Sequence, residues 1–324
     1  MFVFKKSVSF FLLLSSFILL CSVAEAQSIK KIKTIIVDAG HGGTDDGAHS
    51  EYRGSLNSKE KNVTLAIALK LVAELKQELP DVNIIPTRTT DIYQNPREKA
   101  RIANENHGDL FVCIHADAVD LRTASKIIGH RMETYYTVRN VGKGKKRKKI
   151  RTAHRHIVPI SEYYKLPTDR KGTSTLIIAS HKSNAKTEAL EGSEMQFNTE
   201  GNDSTLDINY ESPEWKASAM LYTQKYFKRS YQLATDVQDE IEATGRNNLG
   251  VWQRQKGIWV LQATQMPAVL IETGFIDNYE DERYLYSEKG QQEIVESITR
   301  ALIKYKNQVE TPQVGINTSG LNSK

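Results

Sequence analysis

Short runs of aliphatic and β-branched residues alternate with longer stretches of helical periodicity from residue 33 onward, and this alternation restricts the chain to one class of architecture. Lys33 to Asp38 reads as a buried strand that runs into the loop Ala39-Gly40-His41-Gly42-Gly43. Lys59 to Leu79 places Val63, Ile67, Leu71 and Leu75 at helical spacing, with Ser58 as N-cap. Val82 to Pro86 is a second strand, Pro96 opens a helix reaching about Asn106, and Asp109 to Ile114 is a third strand that ends at His115. Strand, helix, strand, helix, strand at these spacings predicts a single α/β domain: a mostly parallel central sheet flanked by helices.

The regularity then breaks. Gly129 to Tyr136 reads as a further strand, and residues 139–211 read as a long insertion. The insertion opens with the basic run Lys143 to Lys149 and continues as a polar stretch. Segments of that length inside a compact domain are usually lids or disordered insertions. Order is expected to return at Ser212-Pro213, an N-cap and first-turn pair opening a helix through Leu233, Val237 and Ile241 to a stop near Gly245. Gly257 to Val260 and Ala268 to Ile271 read as strands, and Gly290 to about Lys306 as a closing helix. Residues 309–324 read as a flexible tail, which leaves 27–308 as the domain proper.

The first residues speak to compartment. Lys5 and Lys6 precede the apolar stretch Val8 to Leu20, and Ala24-Glu25-Ala26 has the small-x-small form of a signal peptidase site. Residues 1–26 therefore read as a signal peptide, and the stretch is short for a membrane span. Loss of Lys5, Lys6 and Glu25 lowers the formal charge from +5 to +4. Of the two cysteines only Cys113 remains, so the exported chain has no intrachain disulfide and depends on its core. Nothing after the leader is long and apolar enough to make an integral membrane protein. The basic run lacks interleaved aromatics, which argues against nucleic acid and for a solvated loop or a contact with anionic wall or lipid.

Three metal-ligating side chains stand where elements meet loops: His41 after the first strand, Glu60 in the first helical turn, and His115 at the end of the third strand. Loops at the carboxyl ends of parallel strands converge on one edge of a sheet, which brings these residues within reach of one another. Two imidazoles and a carboxylate form a three-ligand set for one Zn²⁺, with a fourth position open to water. Glu272 follows an apolar strand, and partial desolvation there would raise its pKa toward that of a useful base. Singly, each has an ordinary explanation: strand-end histidines are common, and Glu60 suits any helix N-terminus. His154 and His156 form a ligand-like pair in the polar insertion but read as surface residues, as do His49, His107, His130 and His181.

Four segments in order sharpen this reading: Val37-Asp-Ala-Gly-His-Gly-Gly43, Glu60-Lys-Asn-Val-Thr-Leu65, Asp109-Leu-Phe-Val-Cys-Ile-His-Ala-Asp-Ala118 and Met266-Pro-Ala-Val-Leu-Ile-Glu-Thr-Gly-Phe-Ile276. Over residues 33–137 and 216–306 the chain resembles the zinc-dependent N-acetylmuramoyl-L-alanine amidases of the amidase-3, cell-separation type. The resemblance implies zinc on His41, Glu60 and His115, Glu272 as catalytic glutamate, peptidoglycan as substrate, and the periplasm of a Gram-negative-type bacterium as location. Some relatives carry an inhibitory helix in an insertion after the strand matching Thr134 to Tyr136. By that resemblance residues 139–211 form a regulatory lid, with Glu188, Glu191 or Glu194 in the open metal position and an activator protein to displace it. Three positions depart from the family pattern: Ala39 for a proline, Cys113 for a serine, and Lys99 for an arginine. Two rivals remain open: a zinc peptidase cutting within the stem peptide, and a catalytically idle wall-binding protein.

Overall fold

The apolar runs become strands because both of their faces are covered. The computed structural model describes residues 31–179, 213–254 and 258–311. In β1 (Thr34–Ala39), Ile35 and Val37 face one layer of the core and Ile36 faces the other, and all three are fully buried. The same division of faces holds for β3 (Leu110–Asp117) and β8 (Ala268–Phe275). A strand buried on both sides needs a continuous apolar run, which is what the sequence carries there.

These strands and β2 (Asn83–Pro86) run parallel in the order β2-β1-β3-β8. β6 (Thr173–Ile178) pairs antiparallel with β8, and β7 (Asn248–Arg254) closes the sheet parallel to β6. One face carries α1 (Glu60–Glu78), α3 (Pro213–Glu242) and α6 (Glu288–Glu310); the other carries α2 (Pro96–Glu105) and the short α4 (Trp259–Ala263). α5 (Tyr279–Tyr286) follows β8 at the sheet's edge. The expected α/β domain with a mostly parallel sheet is observed. Among the described residues no helix is long and apolar enough to cross a membrane.

Three local expectations are corrected. Ser58 does not cap α1: the cap position falls to Lys59, whose backbone bridges to His49 and whose ammonium, having no acceptor, makes no capping hydrogen bond. The strand expected at Gly257 to Val260 is not formed; Trp259 begins α4, which turns Val260 and Leu261 into the core. Short apolar runs do not distinguish strand from helix by periodicity.

The third correction concerns the interruption. Residues 139–141 continue β4 (Thr123–Val141), which pairs antiparallel with β5 (Lys148–Lys165) in a ribbon separate from the main sheet. Residues 173–178, inside the span read as insertion, are the fully buried β6. Its threonines escaped notice as core residues, yet each hydroxyl has a partner: Thr173 Oγ1 donates to the Thr273 carbonyl at 3.2 Å, and Thr175 Oγ1 bonds the Gln238 amide at 2.8 Å. Ser212, the leader, the tail, His181 and Glu188, Glu191 and Glu194 lie outside the described residues.

Two buried carboxylates tie α5 to the loops around the sheet edge. Glu282 accepts from Ser50, from Tyr52 and, at 2.9 Å, from the Leu56 amide, holding the loop that leads into α1. Asp281 accepts from the Gly172 and Phe275 amides, each at 2.9 Å, and pins the exit of β8.

Candidate active site

The parallel order β1-β3-β8 puts the carboxyl ends of three adjacent strands on one edge, where His41, His115 and Glu272 emerge. α1 starts beneath them, so Glu60 enters from its first turn. One ligand atom from each of His41, Glu60 and His115 can be chosen so that all lie within 4.8 Å of one another. Glu60 sits between the rings: Oε2 is 3.1 Å from His41 Nε2, and Oε1 is 2.8 Å from His115 Nδ1. The two imidazoles meet edge to face with centroids 4.9 Å apart.

The backbone is shaped around this cluster. A Cβ on Gly40 would stand 2.6 Å from the His115 ring, and one on Gly47 would stand 2.6 Å from Glu60 Oε2. His41 itself has φ of +57°, a left-handed conformation uncommon for a residue with a side chain. β8 carries one more residue than β3 between the pairs His115↔Glu272 and Asp117↔Phe275. Near this bulge the Ala116 amide donates to Glu60 Oε1 at 3.0 Å, while the Ala48 amide donates to Oε2 at 2.7 Å.

Electrostatics favour a cation here. Burial works against the Glu60 charge, but hydrogen bonds and attraction from His115 and His41 outweigh it and hold the carboxyl well below its usual range. Burial likewise opposes a charge on His41, yet Glu60 and then Asp45 raise it to about 9. In the absence of a metal the cluster therefore binds a proton. His41 Nδ1 donates to Asp45 Oδ2 at 2.8 Å, which fixes the tautomer and turns Nε2 toward Glu60. Two nitrogen donors and one carboxylate, with an orienting carboxylate behind, fit a single divalent cation.

Glu272 is the register partner of His115 across the β3–β8 ladder, which sets it beside the cluster. Burial is the main cause that pushes its carboxyl up to about 7; His115 and Arg254 oppose the rise, and Asp117 and Glu60 add to it. Its Oε2 is buried without a hydrogen-bond partner among the described residues. A carboxylate oxygen left unpaired in the interior costs stability and marks a group held ready for a proton. Arg254 Nη1 lies 3.7 Å from Oε1.

Behind the cluster, the departures at Lys99 and Cys113 meet on one group. Lys99 Nζ lies 3.0 Å from Asp38 Oδ1, Cys113 Sγ donates to Oδ2 at 2.8 Å, and Thr87 Oγ1 donates to Oδ1 at 2.6 Å. Burial raises the Asp38 carboxyl, but the Lys99 charge and these hydrogen bonds overcome that and leave it below the ordinary value. Burial and Asp38 push the Cys113 thiol well up, so it is no nucleophile. Lys99 Nζ and Arg88 Nη2 also hold the Ala39 and Gly40 carbonyls at 2.6 and 2.8 Å, which braces the His41 loop from beneath.

The four residues singled out from sequence thus converge. Asp45, Arg254 and the Asp38 brace were not foreseen. Asp45 lies in a glycine-rich loop without periodicity, and its place follows from a bridge between Gly42 and Asp45; Arg254 lies on β7, which was not recognised as a strand.

Comparison with known proteins gives the same direction. The family described as N-acetylmuramoyl-L-alanine amidase (Amidase_3) matches residues 35–304. The chain is 26% identical over 271 residues to N-acetylmuramoyl-L-alanine amidase AmiC of Escherichia coli, covering 84% of this chain and 52% of that one. It thus spans about half the length of that relative, whereas a 26% identical N-acetylmuramoyl-L-alanine amidase homologue of Buchnera aphidicola is covered over 95% of its length. In fold it is similar to an N-acetylmuramoyl-L-alanine amidase from Clostridium difficile 630, with a TM-score of 0.51, 22% identity and coverage of 85% of this chain and 97% of that one. AmiC2 of Nostoc punctiforme gives a TM-score of 0.51 at 22% identity over 84% of this chain and 96% of that one. Because the match runs from the first core strand to the last helix, with the histidine and glutamate cluster inside it, this chain belongs to the N-acetylmuramoyl-L-alanine amidase family.

Proposed function

We propose that the chain is an exported zinc-dependent hydrolase that cuts the amide bond between N-acetylmuramic acid and L-alanine in peptidoglycan. The observation that carries this reading is the pairing of a buried, proton-hungry Glu272 with His115, one residue of a His–Glu–His cluster. Zinc held by His41, Glu60 and His115 would polarise the scissile carbonyl and acidify a water. Glu272 takes a proton from the attacking water at Oε2 and returns it to the departing L-alanine nitrogen. Asp45 keeps His41 in the tautomer the cation needs, and the Asp38 brace keeps the loop in place. Digestion of purified sacculi, with mass analysis of the products, tests the reading. Free stem peptides beginning at L-alanine are expected; cleavage confined within the stem peptide would point to a peptidase instead, and no release would favour an idle binding protein.

Export to the periplasm is supported by the leader pattern of residues 1–26. The segment bearing Glu188, Glu191 and Glu194 is assigned a restraining role that an activator protein would relieve, on the strength of the family resemblance and its place between β6 and α3. Excision of 181–211 spares β6 and is expected to raise sacculus hydrolysis severalfold. No gain from a folded variant would remove the assignment.

A further inference from the structure

The β4–β5 ribbon leaves the sheet six residues after Asp117 ends β3, on the edge that carries the metal cluster. Eighteen paired residues per strand would reach about 60 Å at the usual rise per residue. Its strands pack on each other, and among the described residues no other element makes more than marginal contact with them. Ties to the body lie at the base, where the Arg53 amide donates to the Lys165 carbonyl at 3.0 Å and the Arg53 guanidinium covers Tyr164. An isolated two-stranded ribbon is marginal in water, and its outer edges expose unpaired backbone groups. Such an element calls for a partner.

Charge narrows the partner. Between Val138 and Ile157 the ribbon holds nine lysines and arginines and no aspartate or glutamate. Edge pairing with the same region of a second copy would bring these cations together, so the far half is unsuited to self-association. The occupant is anionic. Composition narrows it further, because the cations are interleaved with aliphatics. The cross-strand pairs Val141↔Lys148, Arg139↔Ile150 and Val138↔Arg151 each join one aliphatic to one cation. Val138, Ile150 and Ile157 are exposed, as is Met132, at 60%, 46%, 66% and 62%. The exposed aromatics beside them are already engaged, Tyr136 under the Arg151 guanidinium and Tyr135 against His154, so a glycan or nucleic acid would engage the cations and leave these aliphatics in water. A lipid interface accommodates both: branched side chains enter the acyl boundary while long cationic stems reach the phosphates.

We propose that the far half of this ribbon docks on an anionic lipid surface and holds the catalytic edge of the sheet close to it. Sedimentation of the full mature chain with vesicles of phosphatidylcholine mixed with phosphatidylglycerol, against pure phosphatidylcholine, tests this. Binding is expected to the mixed vesicles alone and to weaken with salt. The combined change Lys145→Ser, Lys146→Ser, Lys148→Ser and Lys149→Ser should weaken it by roughly a hundredfold or more. The decisive variant keeps every charge: Val138→Ser, Ile150→Ser and Ile157→Ser together should weaken vesicle binding roughly tenfold or more, yet leave binding to duplex DNA and to sacculi unchanged. An unaltered melting temperature confirms that both variants fold. Equal binding to pure phosphatidylcholine would overturn the proposal. So would an aliphatic variant that holds mixed vesicles as tightly as the parent, since the ribbon would then be a general polyanion binder.

Discussion

Glu272 is buried to 6% exposure, and the burial that raises its proton affinity also makes its charge expensive. In the metal-free protein the folded state keeps this proton up to about 7, whereas the unfolded chain releases it near the ordinary value of 4.5. Folding stability therefore falls as pH rises through that window, by up to about 3 kcal/mol. Glu272→Gln should be more stable than the parent at pH 8 in denaturant titrations of the metal-free protein, and the two should converge near pH 4. The same variant should retain its metal and lose at least ~100-fold in turnover on sacculi. Asp45 acts differently. Asp45→Ala removes the acceptor that orients His41 Nδ1, so metal affinity measured by chelator competition should fall about 10- to 100-fold. Unchanged affinity would show that the loop alone orients the ring.

At the scale of elements, the strand end of β1 rests on a buried ion pair. Both Lys99 and Asp38 are nearly inaccessible, so loss of one partner leaves the other uncompensated. Lys99→Met is expected to cost about 3–5 kcal/mol in chemical denaturation. Cys113→Ser keeps a donor to Asp38 and should cost less than about 1.5 kcal/mol. An equal loss in both variants would mean that packing, and not charge, holds the site. The strands of this brace were readable from their unbroken apolar runs. β6 was not, because Thr173, Ser174 and Thr175 look like loop residues until the partners of their hydroxyls are known. The ribbon was legible only in part: Gly129 to Tyr136 read as a strand, but the full length of β4 and its partner β5 did not, because with neither face covered they show no alternation that separates an inside from an outside.

For the whole molecule, the separation of ribbon from body predicts independent behaviour. Replacing Val138–Arg151 with a short turn should shift the melting temperature by no more than about 2 °C, since among the described residues the ribbon makes no more than marginal contact with any other element. A drop of several degrees would mean that the ribbon is coupled to the sheet. Phe111→Ala, by contrast, opens a cavity between β3 and the layer of α2 and α4, and should cost about 3–5 kcal/mol.

His41, Glu60, His115 and Glu272 are legible in the sequence because each sits in a short local word at a strand end or helix start, and a parallel sheet brings such ends to one edge. Local order of apolar and β-branched residues likewise dictated the four parallel strands. What surrounds the site could not be read that way. Arg254 facing Glu272, and Lys99 and Cys113 meeting on Asp38, are contacts between segments with no shared periodicity, and Asp45 reaches His41, four residues away, only because the glycine-rich loop turns back on itself. Only the folded chain brings them together: hydrogen bonds and ion pairs act over a few ångströms, and the path by which the backbone returns carries no local signature.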